Sequence, residues 1–356
     1  MTNDSKVLPH KLNSRPLRIV RATMGMMTLV VLTFHFVQAK GNAETGLGLL
    51  LAVNQGEATL GIVDPQAGKQ VATIAEGGVT GHEVAVSLDG KTAFVPIYGD
   101  SSVGEAGTDG RDMVAIDIAS RKVVGHVDFG HGVRPHCAVI NPKDGLLYVT
   151  TELDKTVTII DPKTLHIVGV IPTGQEQSHM LVISHDGRIG YTANVSAGTV
   201  SVLDIPGRKL ISVIPVSTKV QRISISVDDK WIFTADQAKP QLAVIDAATN
   251  KVKTWIPIAA PGYGTASTLD GRWLLVCVPD ASQVSVVDLK TLRVIRTISV
   301  PKVPHEIVIS PDDKTAYVSC IRTKKVAAIN LSAWSVKSLI EAGESVDGIA
   351  WAAGTR

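Results

Sequence analysis

An aliphatic run that closes on Asp or Asn is written seven times along this chain, at Asp64, Asp117, Asp161, Asp204, Asp246, Asp288 and Asn330. The steps between copies are 53, 44, 43, 42, 42 and 42 residues. A fixed period near 42 means one supersecondary unit copied around an axis, each copy burying its faces against its neighbours. Equivalent positions of the copies then converge on that axis, so residues far apart in sequence form a ring that can be found by counting.

The unit reads clearly from Ser178. The segment 179–184 is a first strand, His185-Asp186-Gly187-Arg188 a tight turn, and 189–193 a second strand. After a loop to Gly198, 199–204 is a third strand; Pro206-Gly207 turns the chain into a fourth at 210–214. Short alternating strands separated by Gly, Pro and Asp, with no helical period, describe a four-stranded antiparallel blade. The first turn recurs at Asp89-Gly90, Asp144-Gly145, Asp228-Asp229, Asp270-Gly271 and Asp312-Asp313. The first unit starts at its second strand, near Leu47, while the C-terminus carries a spare first strand, Gly348-Ile349-Ala350-Trp351. That offset predicts an all-β fold, a seven-bladed β-propeller closed by the C-terminal strand joining the first blade, which leaves no terminal edge unpaired.

The first 39 residues stand apart from the repeat. Lys6, Lys11, Arg15, Arg18 and Arg21 precede an apolar stretch from Ala22 to Val37, and Val37-Gln38-Ala39 offers a small-x-small cleavage site. This is the layout of a secretory leader, too short for the roughly 20 residues of a spanning helix. The expected organisation is a signal peptide over 1–39 and one propeller domain over 40–356, periplasmic or secreted, with no stable membrane insertion after cleavage. Removing the leader takes the formal charge from +2 to −2, so the pI near 8.3 is a leader effect. No basic field remains to recruit nucleic acid. Cys137, Cys277 and Cys320 show no Cys-x-x-Cys spacing and read as buried, inert thiols.

Tyr148-Val149-Thr150-Thr151, Tyr191-Thr192-Ala193-Asn194 and Tyr317-Val318-Ser319-Cys320, with the turn Ser310-Pro311-Asp312-Asp313, resemble the signature of the YVTN-repeat (YncE-like) exported propellers. The resemblance covers the whole chain after the leader. It implies the fold and export but no single activity, because propellers host unrelated functions.

Counting back from each turn places His82, His136, His179, Gln221, Tyr263, His305 and Asp347 at the first-strand position that lines the channel mouth. Imidazole is the commonest metal ligand and a ready acid or base. His82, His136, His179 and His305 are therefore candidate ligands of a divalent transition metal, and His136 and His179 candidate catalytic groups. The competing reading is that His at this position simply caps backbone groups. The second-to-third-strand loops place Asn54, Glu152, Asn194, Asp236 and Cys320 at the rim, with Glu152 the best candidate for a general base or fourth ligand. Arg134 and Arg222 flank the ring as candidate partners of an anionic ligand, and Pro135 biases Arg134 toward an extended backbone. An insertion at 98–112 sits on the same face, as a lid, a calcium loop or a passive loop. Glu83 and Glu306 follow a ring His directly, so strand alternation turns them toward a neighbouring blade.

The chain carries no Gly-x-Ser-x-Gly elbow, phosphate-binding loop or dinucleotide fingerprint. With no Cys-x-x-Cys-His either, covalent haem and nucleotide cofactors are set aside. Three functions follow. The first is a protein binding a small or anionic molecule, a metal ion or a cofactor at the His-rich mouth. The second is a metal- or His-dependent enzyme of lactonase, lyase or hydrolase type on the same face. The third is a scaffold for a cell-envelope protein partner.

Overall fold

The computed structural model describes residues 48–353, so the leader expected over 1–39 lies outside the described residues. These residues form five four-stranded sheets and one eight-stranded sheet. Each four-stranded sheet is an antiparallel meander in chain order. The eight-stranded sheet is two such meanders joined by one parallel bridge, Glu341 to Lys69. One of them is completed by the C-terminal strand Val346–Ala353, which pairs antiparallel with Gly48–Asn54. The first strands of successive sheets lie against one another. Pro304–Ile309 lies against Val346–Ala353, which in turn lies against Ala85–Val86. This is the architecture of a β-propeller, whose innermost strands surround a central channel.

The seven repeated Asp and Asn residues explain themselves locally. Each stands at the start of the turn between third and fourth strands and accepts backbone N–H groups two or three residues on. Asp246 takes those of Ala248 and Thr249, Asp288 those of Lys290 and Thr291, and Asn330 those of Ser332 and Ala333. Short side-chain acceptors close such turns without help from the rest of the fold. The Asp-Gly turns have their own lock. Asp186 accepts from Ser184 Oγ at 2.6 Å and from the Arg188 N–H at 3.0 Å, while Gly187 takes a φ of 73°.

Between the sheets the core is aliphatic. Val157, Ile159, Leu203, Val220 and Ile232 are among the fully buried side chains of one cluster that spans three neighbouring sheets. Each such side chain contributes about 1.5–3 kcal/mol through removal from water. All three cysteines are buried and unpaired. Burial pushes the thiols of Cys137 and Cys320 up to about 12, so neither is a nucleophile at neutral pH.

Candidate functional site

One irregularity, repeated around the channel, builds the site. The innermost strand of a sheet begins with a bulge, so that two residues stand opposite one on the next strand. The register shifts between Pro135 and Ala138, between Val220 and Ile223, between Pro304 and Ile307, and between Val346 and Ile349. A bulge breaks the in–out alternation of a strand. Both residues of a pair can therefore turn to the channel, as Gln221 with Arg222 and His305 with Glu306 do, while His136 and Asp347 do so at the other two bulges. The expectation that Glu83 and Glu306 face a neighbouring blade fails for this reason. They meet in the channel instead, on Arg222.

Arg222 is the hub of that inner layer and is 2% exposed. Its Nη1 donates to Glu306 Oε2 at 2.6 Å and to Glu83 Oε1, and its Nη2 to Asp347 Oδ1 at 3.3 Å. Asp347 also receives His305 Nδ1 and the side-chain amide of Gln55. Burial pushes Glu83 up to about 8 and raises Glu306. Burial also acts against an ionised Asp347, but His305 and Arg222 outweigh it and hold its carboxyl well below the usual range. One cation thus ties carboxyl groups from three of the four-stranded meanders, two of them in the eight-stranded sheet, across the channel.

Above this layer lie the ring residues found by counting. His82, His136 and His179 come together with Tyr98. Ring centroids are 5.4 Å apart for His82 and His136, 3.5 Å for His136 and His179, and 4.5 Å for His82 and Tyr98. On the other side Tyr263 stacks on His305 at 3.9 Å. Gln221 joins the two groups, its Nε2 donating to Tyr263 Oη at 2.7 Å and lying 3.3 Å from His179 Nε2. Burial, reinforced by neighbouring cationic groups, holds His136 well below the usual imidazole range. Burial likewise lowers His82 to about 4, although Asp347 acts in the opposite sense. Both rings are neutral at physiological pH, and His136 Nδ1 is buried without a hydrogen-bond partner.

Glu152 is buried beside this cluster. Its Oε1 pairs with His179 Nδ1, and its Oε2 accepts from Tyr98 Oη at 2.9 Å. A carboxylate on Nδ1 fixes the imidazole and leaves Nε2 facing the Gln221 amide. His305 is held the same way by Asp347. Tyr98 escaped the sequence reading, which placed it in the insertion. It ends the strand Thr92–Gly99, and its N–H donates to Thr80 O just as that of Glu152 donates to Arg134 O.

That shared bond exposes a shift of one residue in the predicted rim. The N–H groups of Gln55, Tyr98, Glu152, Val195, Gln237 and Ile321 all donate to the carbonyl two residues before a ring residue. They are the true equivalents of one another. Asn54, Asn194, Asp236 and Cys320 each precede the true position, and one step along a strand reverses the side chain. Asn194 is therefore not a mouth residue. It is buried within its own sheet, bonded to Ser178, Thr192, Thr199 and Ser201.

Neither arginine is available to an anionic ligand at the mouth. Arg222 is enclosed by carboxylates. Arg134 is buried, with Nε on Asp109 and Nη2 donating to Glu105 O at 2.8 Å. It clamps the inserted loop, whose Asp100 is in turn bonded to Thr108 N and Oγ1. Asp100 and Asp109, two of the acids that suggested a calcium loop, are spent on these contacts. Arg134 also adopts a φ of 49° rather than the extended backbone expected before Pro135, because its N–H and that of Val133 both donate to Gly110 O.

The sequence profile of the Cytochrome D1 heme domain family matches residues 140–267, a stretch that holds His179, Gln221 and Tyr263. No curated protein matches the chain. Among solved structures, the chain is similar to Kuenenia stuttgartiensis hydrazine synthase, with a TM-score of 0.67 and 19% identity over 78% of this chain and 91% of that one. It is similar to the periplasmic gluconolactonase PpgL of Pseudomonas aeruginosa, with a TM-score of 0.69 and 17% identity over 86% and 99% of the two chains. Dihydro-heme d1 dehydrogenase NirN, solved in complex with DHE, gives a TM-score of 0.60 and 16% identity over 86% and 75%. At these identities the likeness is one of fold.

These findings overturn the cofactor expectation, which favoured a divalent metal ion and set covalent haem aside. The matching profile is that of a haem domain, and NirN is a haem d1 enzyme. Lack of Cys-x-x-Cys-His bears only on covalent attachment. Nor do the four imidazoles gather around one point: two are turned onto their own carboxylates, and no cluster of three or more His, Cys, Asp or Glu among the described residues is arranged to hold an ion.

Proposed function

We propose that this chain is an exported, periplasmic propeller of seven blades, the eight-stranded sheet counting as two, that binds a small planar ligand of the haem d1 class at its channel mouth. The observation that carries the reading is the set of flat rings at the mouth: His82, Tyr263 and His305 are partly exposed, and the buried rings of Tyr98, His136 and His179 back them. Flat, mostly uncharged walls suit a conjugated macrocycle, which gains from stacking and from exclusion of water. The matched haem-domain segment supplies two of these rings, His179 and Tyr263.

The donor set fits an iron tetrapyrrole. His82 is half-buried and stays neutral, so it would be free to hold the iron through a ring nitrogen, and His179 and His305 are oriented by carboxylates. The bound group would supply one-electron chemistry. The test is a titration of the purified protein with haem d1 or iron protoporphyrin, followed by absorption. A saturable shift that His82→Ala and His179→Ala weaken at least tenfold, and that His126→Ala on an exposed outer strand leaves unchanged, supports the reading. Equal behaviour of all three variants defeats it.

A second reading rests on the Glu152–His179 pair alone. A carboxylate-held imidazole is a general base for water attack on a cyclic ester, and a gluconolactonase shares the fold. Lactone hydrolysis lost in Glu152→Gln, in protein that binds no tetrapyrrole, would favour it.

A further inference from the structure

Glu76 sits at the end of the outer strand Lys69–Ala75, where the chain crosses to the next sheet and runs to His82. Its N–H donates to Ala58 O, a bond repeated around the fold by Phe129, Thr173, Val216, Ile258, Val300 and Ala342 at the same crossing. Those six positions hold five apolar side chains and one Thr. Glu76 is the lone carboxyl among them, and it is fully buried. Its Oε2 accepts the Gly81 N–H at 2.8 Å, while Oε1 is buried with no hydrogen-bond partner.

The segment it holds is the wall of the mouth. Thr80 O accepts the Tyr98 N–H at 2.9 Å, Gly81 bridges to Ile97, and His82 follows directly. Gly81 is pressed close, since a Cβ there would come within 2.4 Å of Val95. A buried carboxylate with an unpaired oxygen is costly, and the cost falls when it is protonated. We propose that Glu76 is a positioning residue and a pH latch: in its neutral form it holds the Gly77–Gly81 crossing closed, and its ionisation loosens that crossing and with it His82 and Tyr98.

Burial pushes the Glu76 carboxyl up to about 7, and the Gly81 N–H opposes it. No charged side chain contributes. Of the elements packed on it, the strand carrying Val95 and Ile97 presents none, and Glu57, on the turn before Ala58, is exposed and accepts the Glu344 N–H. His82, at the end of the crossing, stays neutral through this range. The latch thus opens as pH rises through neutrality.

That the latch governs binding rests on the mouth being the ligand site, but the latch itself is tested without ligand. Histidine-selective NMR on the folded chain would follow the His82 ring from pH 5 to 9. The expected result is a shift or broadening of His82 with a midpoint near pH 7 that vanishes in Glu76→Gln, which keeps an acceptor for Gly81. Glu76→Val, which copies the residue at position 216, should fix His82 in the loosened form at every pH. An unchanged His82 profile in folded Glu76→Gln, or a wild-type profile flat across the range, overturns the proposal. Haem titration at pH 6 and pH 8 then separates the two claims: a latch seen by NMR with no binding at either pH refutes the ligand reading alone.

Discussion

Arg222 Nη1 lies 2.6 Å from Glu306 Oε2 in the middle of the channel, joining strands 84 residues apart in sequence. The same nitrogen serves Glu83, and Asp347 takes Nη2. Removing one partner from such a group strands the others. Arg222→Met should cost about 3–5 kcal/mol, as for other buried ion pairs broken on one side. Glu83→Gln and Glu306→Gln added to it should recover most of that loss. Urea unfolding of the single and triple variants measures both.

Stability should depend on pH with a definite sign. Glu83 is pushed up to about 8 in the folded protein and Glu306 is raised. Between about pH 4.5 and 8 the unfolded chain has lost these protons while the folded chain keeps them. The folded state is therefore progressively weakened as pH rises through that window. Asp347, held below the usual range, acts oppositely and only in acid. Melting temperature should peak in mildly acidic buffer and decline toward pH 8, with a shallower decline in Glu83→Gln.

Tyr98→Phe leaves Glu152 Oε2 without its donor in a dry site. A stability loss of about 1–3 kcal/mol is expected, seen as a lower denaturant midpoint with unchanged m-value. A loss below a few tenths of a kcal/mol would mean that water replaces the hydroxyl.

Asn194 and Gln55 should behave as opposites. Asn194→Ala removes bonds to four residues of its own sheet and should destabilise by about 1–3 kcal/mol without touching ligand affinity. Gln55→Ala frees one oxygen of Asp347 and should alter binding at the mouth more than it alters folding. Parallel unfolding and titration curves decide.

Arg134→Ala should release the 100–108 loop without removing a ligand contact. Hydrogen exchange across 100–108 is expected to quicken, while exchange in the strand Pro135–Ile140 stays slow. Slow exchange throughout would show that Asp100 and Thr108 suffice to hold the loop.

The repeat alone determined the all-β meanders, their turns and the seven ring positions. Each depends on local chemistry, such as an Asp closing a turn or aliphatic residues alternating on a strand, and local chemistry is written in order along the chain. The tertiary structure decided which side chains meet. A bulge sent Glu83 and Glu306 inward against simple alternation, and a single-residue step separated Glu152 from the false rim position at Asn194. Arg134 and Arg222 looked like free cations because their partners, Asp109 and the channel carboxylates, lie on other turns of the chain or on other sheets. Pairings of that kind are set by how the sheets close around the channel, and no count along the sequence contains them.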